Sequence, residues 1–190
     1  MLRLFVALPL PDAIAGAVGK TQSGLERASW SKRDNLHITL RFVGEVDEAQ
    51  ASDLDLALAD IRVAPFELAL QGSGFFGNSK PHAAWMGVAP NDALTHLQRA
   101  CERACRQVGL EPDTRAYTPH VTTCYLQDGH SLEAVIAYQA RHHLFKAGPW
   151  TADRFFLYAS HISKKGSNLY GIEAEYPLIG SVPSVVSSCV

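Results

Sequence analysis

The chain has 190 residues, of which 47% are hydrophobic and 19% are charged, and its formal net charge is −2. This length and apolar content predict one ordinary domain that folds without disulfides or a structural metal. A protein that binds long nucleic acid through its phosphates needs a strongly basic face. The weak net charge excludes that class and restricts any contact with a nucleic acid to a small area.

The first part of the chain predicts five elements, which follow from apolar runs, residue spacing and turn signals. They are, in order, a strand at residues 2–10, a helix from residue 12, a strand at 36–43, a helix at 47–61 and a strand at 66–70.

The second part predicts a similar series of elements. It comprises a strand at residues 83–88, a helix from residue 91, a strand at 119–126, a helix at 131–141, and strands at 151–160 and 168–176.

The order strand, helix, strand with histidine, helix, strand therefore occurs twice, at about residues 1–75 and 80–178. We predict a single α+β domain over residues 1–190: a duplicated, two-lobed fold with antiparallel sheets flanked by helices and an active-site cleft between the lobes. Residues 180–190, with four serines, predict a loose tail.

The N-terminus and the cysteines favour a cytoplasmic protein. The apolar run at residues 4–10 contains Pro9, and Pro11 follows at once, so it predicts a buried strand rather than a signal peptide. No stretch reaches transmembrane length. Cys101 and Cys105 have helical spacing without a second ligand pair, which favours packing over metal binding.

Two His-x-Thr motifs are the strongest chemical signal, and they lie at His37 and His120. With eight His and eight Thr in 190 residues, chance predicts roughly 0.3 copies of this tripeptide. Residues i and i+2 of a strand project from the same face, so each motif presents an imidazole beside a hydroxyl. A twofold duplication would bring both pairs, including Thr39 and Thr122, into one pocket.

Such a pocket suits the opening of a cyclic phosphodiester. Displacement at phosphorus needs a base for the attacking water and an acid for the leaving oxygen, and histidine serves in either role near neutral pH. Two hydroxyls can hydrogen-bond the non-bridging phosphate oxygens. Because the histidines handle the protons, we expect no metal and no cofactor.

The segments NLHITLRFVG at residues 35–44 and RAYTPHVT at 115–122 resemble the paired signatures of the two-histidine phosphoesterase superfamily, in its LigT-like branch. Residues 3–7, 84–88 and 156–160 are similar to other strands of that family. The resemblance implies hydrolysis of a terminal RNA 2′,3′-cyclic phosphate to a 2′-phosphomonoester. It also implies that His37 is the proton donor and His120 the proton acceptor, with Thr39 and Thr122 holding the phosphate. From the residues alone the two histidine roles are interchangeable.

The chain departs from the family at Tyr125, where many relatives have an arginine that assists the phosphate. Arg41 or Arg115 could replace that arginine, or the tyrosine hydroxyl could bind substrate directly. Arg115 could equally form a structural ion pair. Trp85 could stack a base or belong to the core, and Phe75 and Phe76 could form a lip over the cleft or pack in the core or a turn.

Two alternatives stay open beside the cyclic phosphodiesterase. One is a phosphodiesterase for 2′,5′-linked oligonucleotides, and the other is a module that binds nucleotides or RNA ends with little turnover. In each case the expected partner is an RNA end or a small cyclic nucleotide. No protein partner or membrane is expected, and we expect a monomer.

Overall fold

The computed structural model describes residues 1–127, 129–162 and 168–180. Apart from Gly180, the predicted loose tail lies outside the described residues, and so does Cys189. The elements in chain order are β1 (Leu2–Pro9), α1 (Asp12–Gly19), β2 (Ser29–Trp30), a 3₁₀ turn (Arg33–Asn35), β3 (His37–Val46), α2 (Glu48–Ala59), β4 (Phe66–Phe76), β5 (Ala83–Val88), α3 (Asp92–Gln107), β6 (His120–Tyr125), α4 (Leu132–His142), β7 (Lys146–Ala152), β8 (Arg154–Ile162) and β9 (Asn168–Pro177).

The strands of the described residues form one antiparallel sheet in the order β7-β4-β5-β6-β3-β1-β8-β9, with the short β2 paired to β6. Its centre is the junction of β3 and β6, where Ile38 pairs with Val121. We call β3-β1-β8-β9 the β3 half-sheet and β7-β4-β5-β6 the β6 half-sheet. The α+β class with antiparallel strands and flanking helices is as predicted.

The strands on the two sides of this junction occupy equivalent positions in the sheet. β1 flanks β3 as β5 flanks β6, and the next strands outward are β8 and β4. β4 of the first predicted repeat therefore pairs with β5, the first strand of the second repeat, and β8 of the second repeat pairs with β1, the first strand of the first. This exchange interlocks the two repeats, because each half-sheet contains a strand from both.

Helices cover the sheet and close its core. α3 packs on β3 and against α2, while α4 packs on β4. Side-chain caps begin three helices: Asp47 accepts from the Gln50 amide, Asn91 from Leu94 and Ser131 from Ala134. Cys101 and Cys105 are fully buried on α3, which confirms that they pack in the core.

Two strands differ from the predicted ones. The segment predicted as one strand at 151–160 is two strands, and β7 begins at Lys146. Gly148 and Pro149 concealed β7 because they lack strand propensity, and they are tolerated because β7 is an edge strand. β4 extends to Phe76 beyond its predicted end, through Gly72, whose φ of +73° lies where the register with β5 shifts.

In the described part of the chain, no helix is both long enough and apolar enough to cross a membrane.

Candidate active site

The two His-x-Thr motifs meet at the centre of the sheet. His37 and His120 are the first residues of β3 and β6, and the pair that joins these strands is formed by the middle residues of the two motifs. In this antiparallel register His37 lies opposite Thr122, and Thr39 lies opposite His120. Because directly opposed side chains share a face, the two imidazoles and two hydroxyls line one site.

A register shift of one residue follows each motif threonine. Leu40 is the extra residue in β3, and Thr123 is the extra residue in β6. Such a shift interrupts the two-residue alternation of a strand, so later side chains change face. Phe42 (52% exposed) and Tyr125 (47% exposed) therefore lie on the histidine face, whereas Arg41 is 7% exposed.

The structure therefore contradicts the predicted role of Arg41 in substrate binding. Simple alternation placed it beside His37, but the shift at Leu40 turns it toward α3. Its Nε donates to Glu102 Oε2 at 2.5 Å, and its other nitrogens donate to the carbonyls of Phe42 and Glu111. Arg41 joins β3 to α3 and does not face the substrate site.

Arg115 forms the ion pair that was one of its two predicted roles. Its Nε and Nη2 donate to the two carboxylate oxygens of Asp113 at 2.9 and 2.7 Å. The hydrogen bond from Arg115 lowers the pKa of Asp113 to about 2. The side chain of Arg115 is exposed on the loop before β6. In the same loop, Tyr117 donates to the Thr39 carbonyl at 3.2 Å, which ties the loop to β3.

The two imidazoles are held in the same way. His37 Nδ1 lies 2.7 Å from the Asn35 carbonyl oxygen, and His120 Nδ1 lies 2.6 Å from the Thr118 carbonyl oxygen. A carbonyl can only accept, so each Nδ1 carries the hydrogen in this contact. In the neutral ring, Nε2 is then the basic nitrogen. On His37 it lies 3.1 Å from the Thr39 hydroxyl.

Burial makes both rings poor proton acceptors before substrate binds. It lowers the pKa of His37 from 6.5 to about 4, and the nearby His120 contributes to this lowering. Burial also lowers the pKa of His120, against the opposing effect of the Thr118 carbonyl. Both histidines are therefore neutral at pH 7.

A family model described as the 2′-5′ RNA ligase superfamily matches residues 10–162. The chain belongs to this superfamily. The match covers both His-x-Thr strands and confirms the LigT-like resemblance that the two motifs indicated.

Curated relatives and solved structures agree with this family. An RNA 2′,3′-cyclic phosphodiesterase of Geobacillus stearothermophilus is 32% identical over 93% of the chain, which spans 57% of that relative's length. One of Archaeoglobus fulgidus is 32% identical over 64% of the chain and 70% of its own length. The crystal structure of E. coli LigT complexed with 3′-AMP is 26% identical, with a TM-score of 0.77, and the match covers 93% of this chain and 98% of LigT.

Aromatic rings form the walls of the site in this superfamily member. Phe5 lies 4.9 Å from the His37 ring, and Tyr170 meets the same ring edge-on at 5.4 Å. On the other side, Phe76 meets His120 edge-on at 4.9 Å, and Trp85 lies 5.8 Å away. Phe76 and Trp85 therefore belong to the wall around His120.

The sequence did not single out Phe5 or Tyr170. Both occur in apolar strands, where an aromatic residue is typical of the core. Their positions follow from the pairing of β1 with β3 and β8, and of β9 with β8. These are long-range contacts that local patterns do not contain.

Among the described residues, no cluster of three or more His, Cys, Asp or Glu side chains is arranged to hold a metal ion.

Proposed function

We propose that this chain is an RNA 2′,3′-cyclic phosphodiesterase that hydrolyses a terminal cyclic phosphate to a 2′-phosphomonoester. The observation that carries the proposal is the junction of β3 and β6, which sets two histidines and two threonines on one face. The relatives that carry this activity in their names support it.

The proposed reaction requires two proton transfers. His120 accepts a proton from the attacking water, and His37 donates a proton to the departing O3′. The direction of these roles comes from the family resemblance. The contacts of the two Nδ1 atoms do not distinguish these roles, because they leave Nε2 of each ring as the nitrogen that exchanges a proton.

The acid must acquire its proton when the substrate binds. Burial lowers the pKa of both rings. A bound phosphodiester carries a negative charge, which raises the pKa of a neighbouring histidine. The substrate itself therefore promotes protonation of one imidazole, while the other stays neutral as the base.

The two threonines and one arginine complete the proposed site. Thr39 and Thr122 hydroxyls bind the non-bridging oxygens as charge develops in the transition state. Arg115 is exposed on the loop that leads into β6 and is oriented by Asp113. We assign it to a contact with the RNA chain outside the pocket, where an exposed cation adds affinity for phosphate.

The test is hydrolysis of an oligoribonucleotide that ends in a 2′,3′-cyclic phosphate, in EDTA. Wild type, His37→Ala and His120→Ala are compared, with His96→Ala on the exposed face of α3 as the matched control. We expect the wild type and the control to form a single monophosphate isomer. Loss of either site histidine should lower kcat by about 10²- to 10⁴-fold.

Three outcomes would contradict the proposal. Absence of turnover by the wild type would exclude this substrate, and binding of the nucleotide without turnover would favour a binding module. Full activity in both histidine variants would exclude the acid–base mechanism. Turnover of a 2′,5′-linked oligonucleotide in preference to the cyclic phosphate would favour the alternative enzyme.

We also propose that the enzyme acts in the cytoplasm as a monomer on RNA ends or small cyclic nucleotides. Cell fractionation tests the compartment, and light scattering of the purified protein tests the monomer.

A further inference from the structure

Tyr170 connects the outer strand β9 to the catalytic face. Its ring meets the His37 ring edge-on at 5.4 Å and 83°, and it meets Phe5 edge-on at 4.9 Å and 71°. Both partners belong to the β3 half-sheet. Tyr170 is partly buried, and its ring is therefore held in place beside the proposed proton donor.

Tyr125 approaches the same place from the β6 half-sheet. The register shift at Thr123 puts it on the face of His120 and Thr122. Thr122 and Tyr170 lie close enough to Tyr125 for their side chains to affect the pKa of its hydroxyl. The Thr122 and Tyr125 side chains of the β6 half-sheet and the Tyr170 side chain of the β3 half-sheet therefore lie together beside the proposed phosphate site.

The Tyr125 hydroxyl stays a donor at neutral pH. Burial raises the pKa of Tyr125, and the neighbouring Tyr170 adds to this effect. The side chain is nevertheless 47% exposed, so a ligand in the site can reach it. A neutral phenol that cannot ionise at pH 7 is suited to donate to an anionic oxygen.

We propose that Tyr125 donates a hydrogen bond to a non-bridging phosphate oxygen of the bound substrate, and that Tyr170 is the positioning residue that holds Tyr125 and the His37 ring in place. This inference rests on the proposed function and extends it. Tyr125 touches the substrate, whereas Tyr170 acts through Tyr125 and His37.

The two residues should be coupled in a specific way. Loss of a hydrogen bond to a charged group weakens transition-state binding, so Tyr125→Phe should lower kcat/KM by about 10- to 100-fold. Tyr170→Phe leaves Tyr125 present but less well oriented, and should lower kcat/KM by about 3- to 10-fold. Because the Tyr170 hydroxyl acts through Tyr125, adding Tyr170→Phe to Tyr125→Phe should change kcat/KM by less than about twofold.

The experiment measures kcat/KM on the cyclic phosphate substrate for the wild type, both single variants and the double variant. Tyr176→Phe is the matched control. It removes a hydroxyl from the same strand, but one that donates to Asp55 on α2 at 2.6 Å. The affinity for inorganic phosphate is measured by calorimetry on the same proteins, and far-ultraviolet circular dichroism verifies that each is folded.

An unchanged kcat/KM in Tyr125→Phe, or additive losses in the double variant, would overturn the inference. The affinity for inorganic phosphate tests the role of Tyr125 independently of the proposed function. If the wild type does not turn over the cyclic phosphate, the proposed function fails, and the affinities alone decide the role of Tyr125. A phosphate affinity at least about fivefold weaker in Tyr125→Phe would still support the contact, and an equal affinity would exclude it.

Discussion

Acid should destabilise this protein through His37, and the size of the effect follows from its burial. Burial lowers the pKa of His37 from 6.5 to about 4. The unfolded chain therefore binds a proton at a higher pH than the folded protein does. Stability is fully present above about pH 6.5 and is lost as the pH falls toward 4.

Linkage converts this difference into a free energy of unfolding. When the pH falls from 7.5 to 5, a single group with these two pKa values lowers the free energy of unfolding by about 2 kcal/mol. This is an upper figure, because His37 is only partly buried and solvent screens part of its charge. Carboxylates also titrate near pH 5, and their contribution is removed by comparing variants.

Urea unfolding at several pH values between 5 and 7.5 measures the effect for the wild type and for His37→Gln. The glutamine keeps a polar side chain but cannot take up a proton. We expect the variant to lose less stability than the wild type over this range, by up to about 2 kcal/mol. His96→Gln, on the exposed face of α3, is the control and should follow the wild type.

Parallel curves for the wild type and His37→Gln would refute the reasoning. That result would mean that the folded protein protonates His37 as readily as the unfolded chain does. The ring would then not be desolvated in the way that its contacts indicate.

Three further predictions concern the fold around the site. Glu102→Gln leaves the buried guanidinium of Arg41 without its counter-charge and should lower the free energy of unfolding in urea by about 3 kcal/mol. Its kcat/KM should stay within about threefold of the wild type. A raised KM at unchanged stability would instead indicate that Arg41 contacts the substrate. Gly74→Ala places a Cβ 2.3 Å from the Trp85 ring. It should therefore displace the indole, change the tryptophan fluorescence and lower the free energy of unfolding by about 1–3 kcal/mol. An unchanged spectrum and stability would contradict this. Asn91→Ala removes the cap of α3 and should cost about 1 kcal/mol with activity unchanged, and a wild-type melting temperature would show that the cap is dispensable.

Local patterns in the sequence predicted most of the elements, because strand alternation and helical spacing reflect which face of each element is buried. They also predicted the two histidine strands, since a repeated motif in a repeated context is visible without any tertiary information. β7 and the end of β4 were missed because glycine and proline carry no strand signal.

The sequence by itself determined the α+β class, the superfamily and the pair of residues, His37 and His120, proposed to transfer protons. Only the tertiary structure decided which neighbours face them. The register shifts after Thr39 and Thr122 depend on pairing with strands distant in the chain. They direct Arg41 into the core and Tyr125 into the site. A side chain's face is a property of the whole sheet, because each added residue reverses the alternation that a single strand suggests.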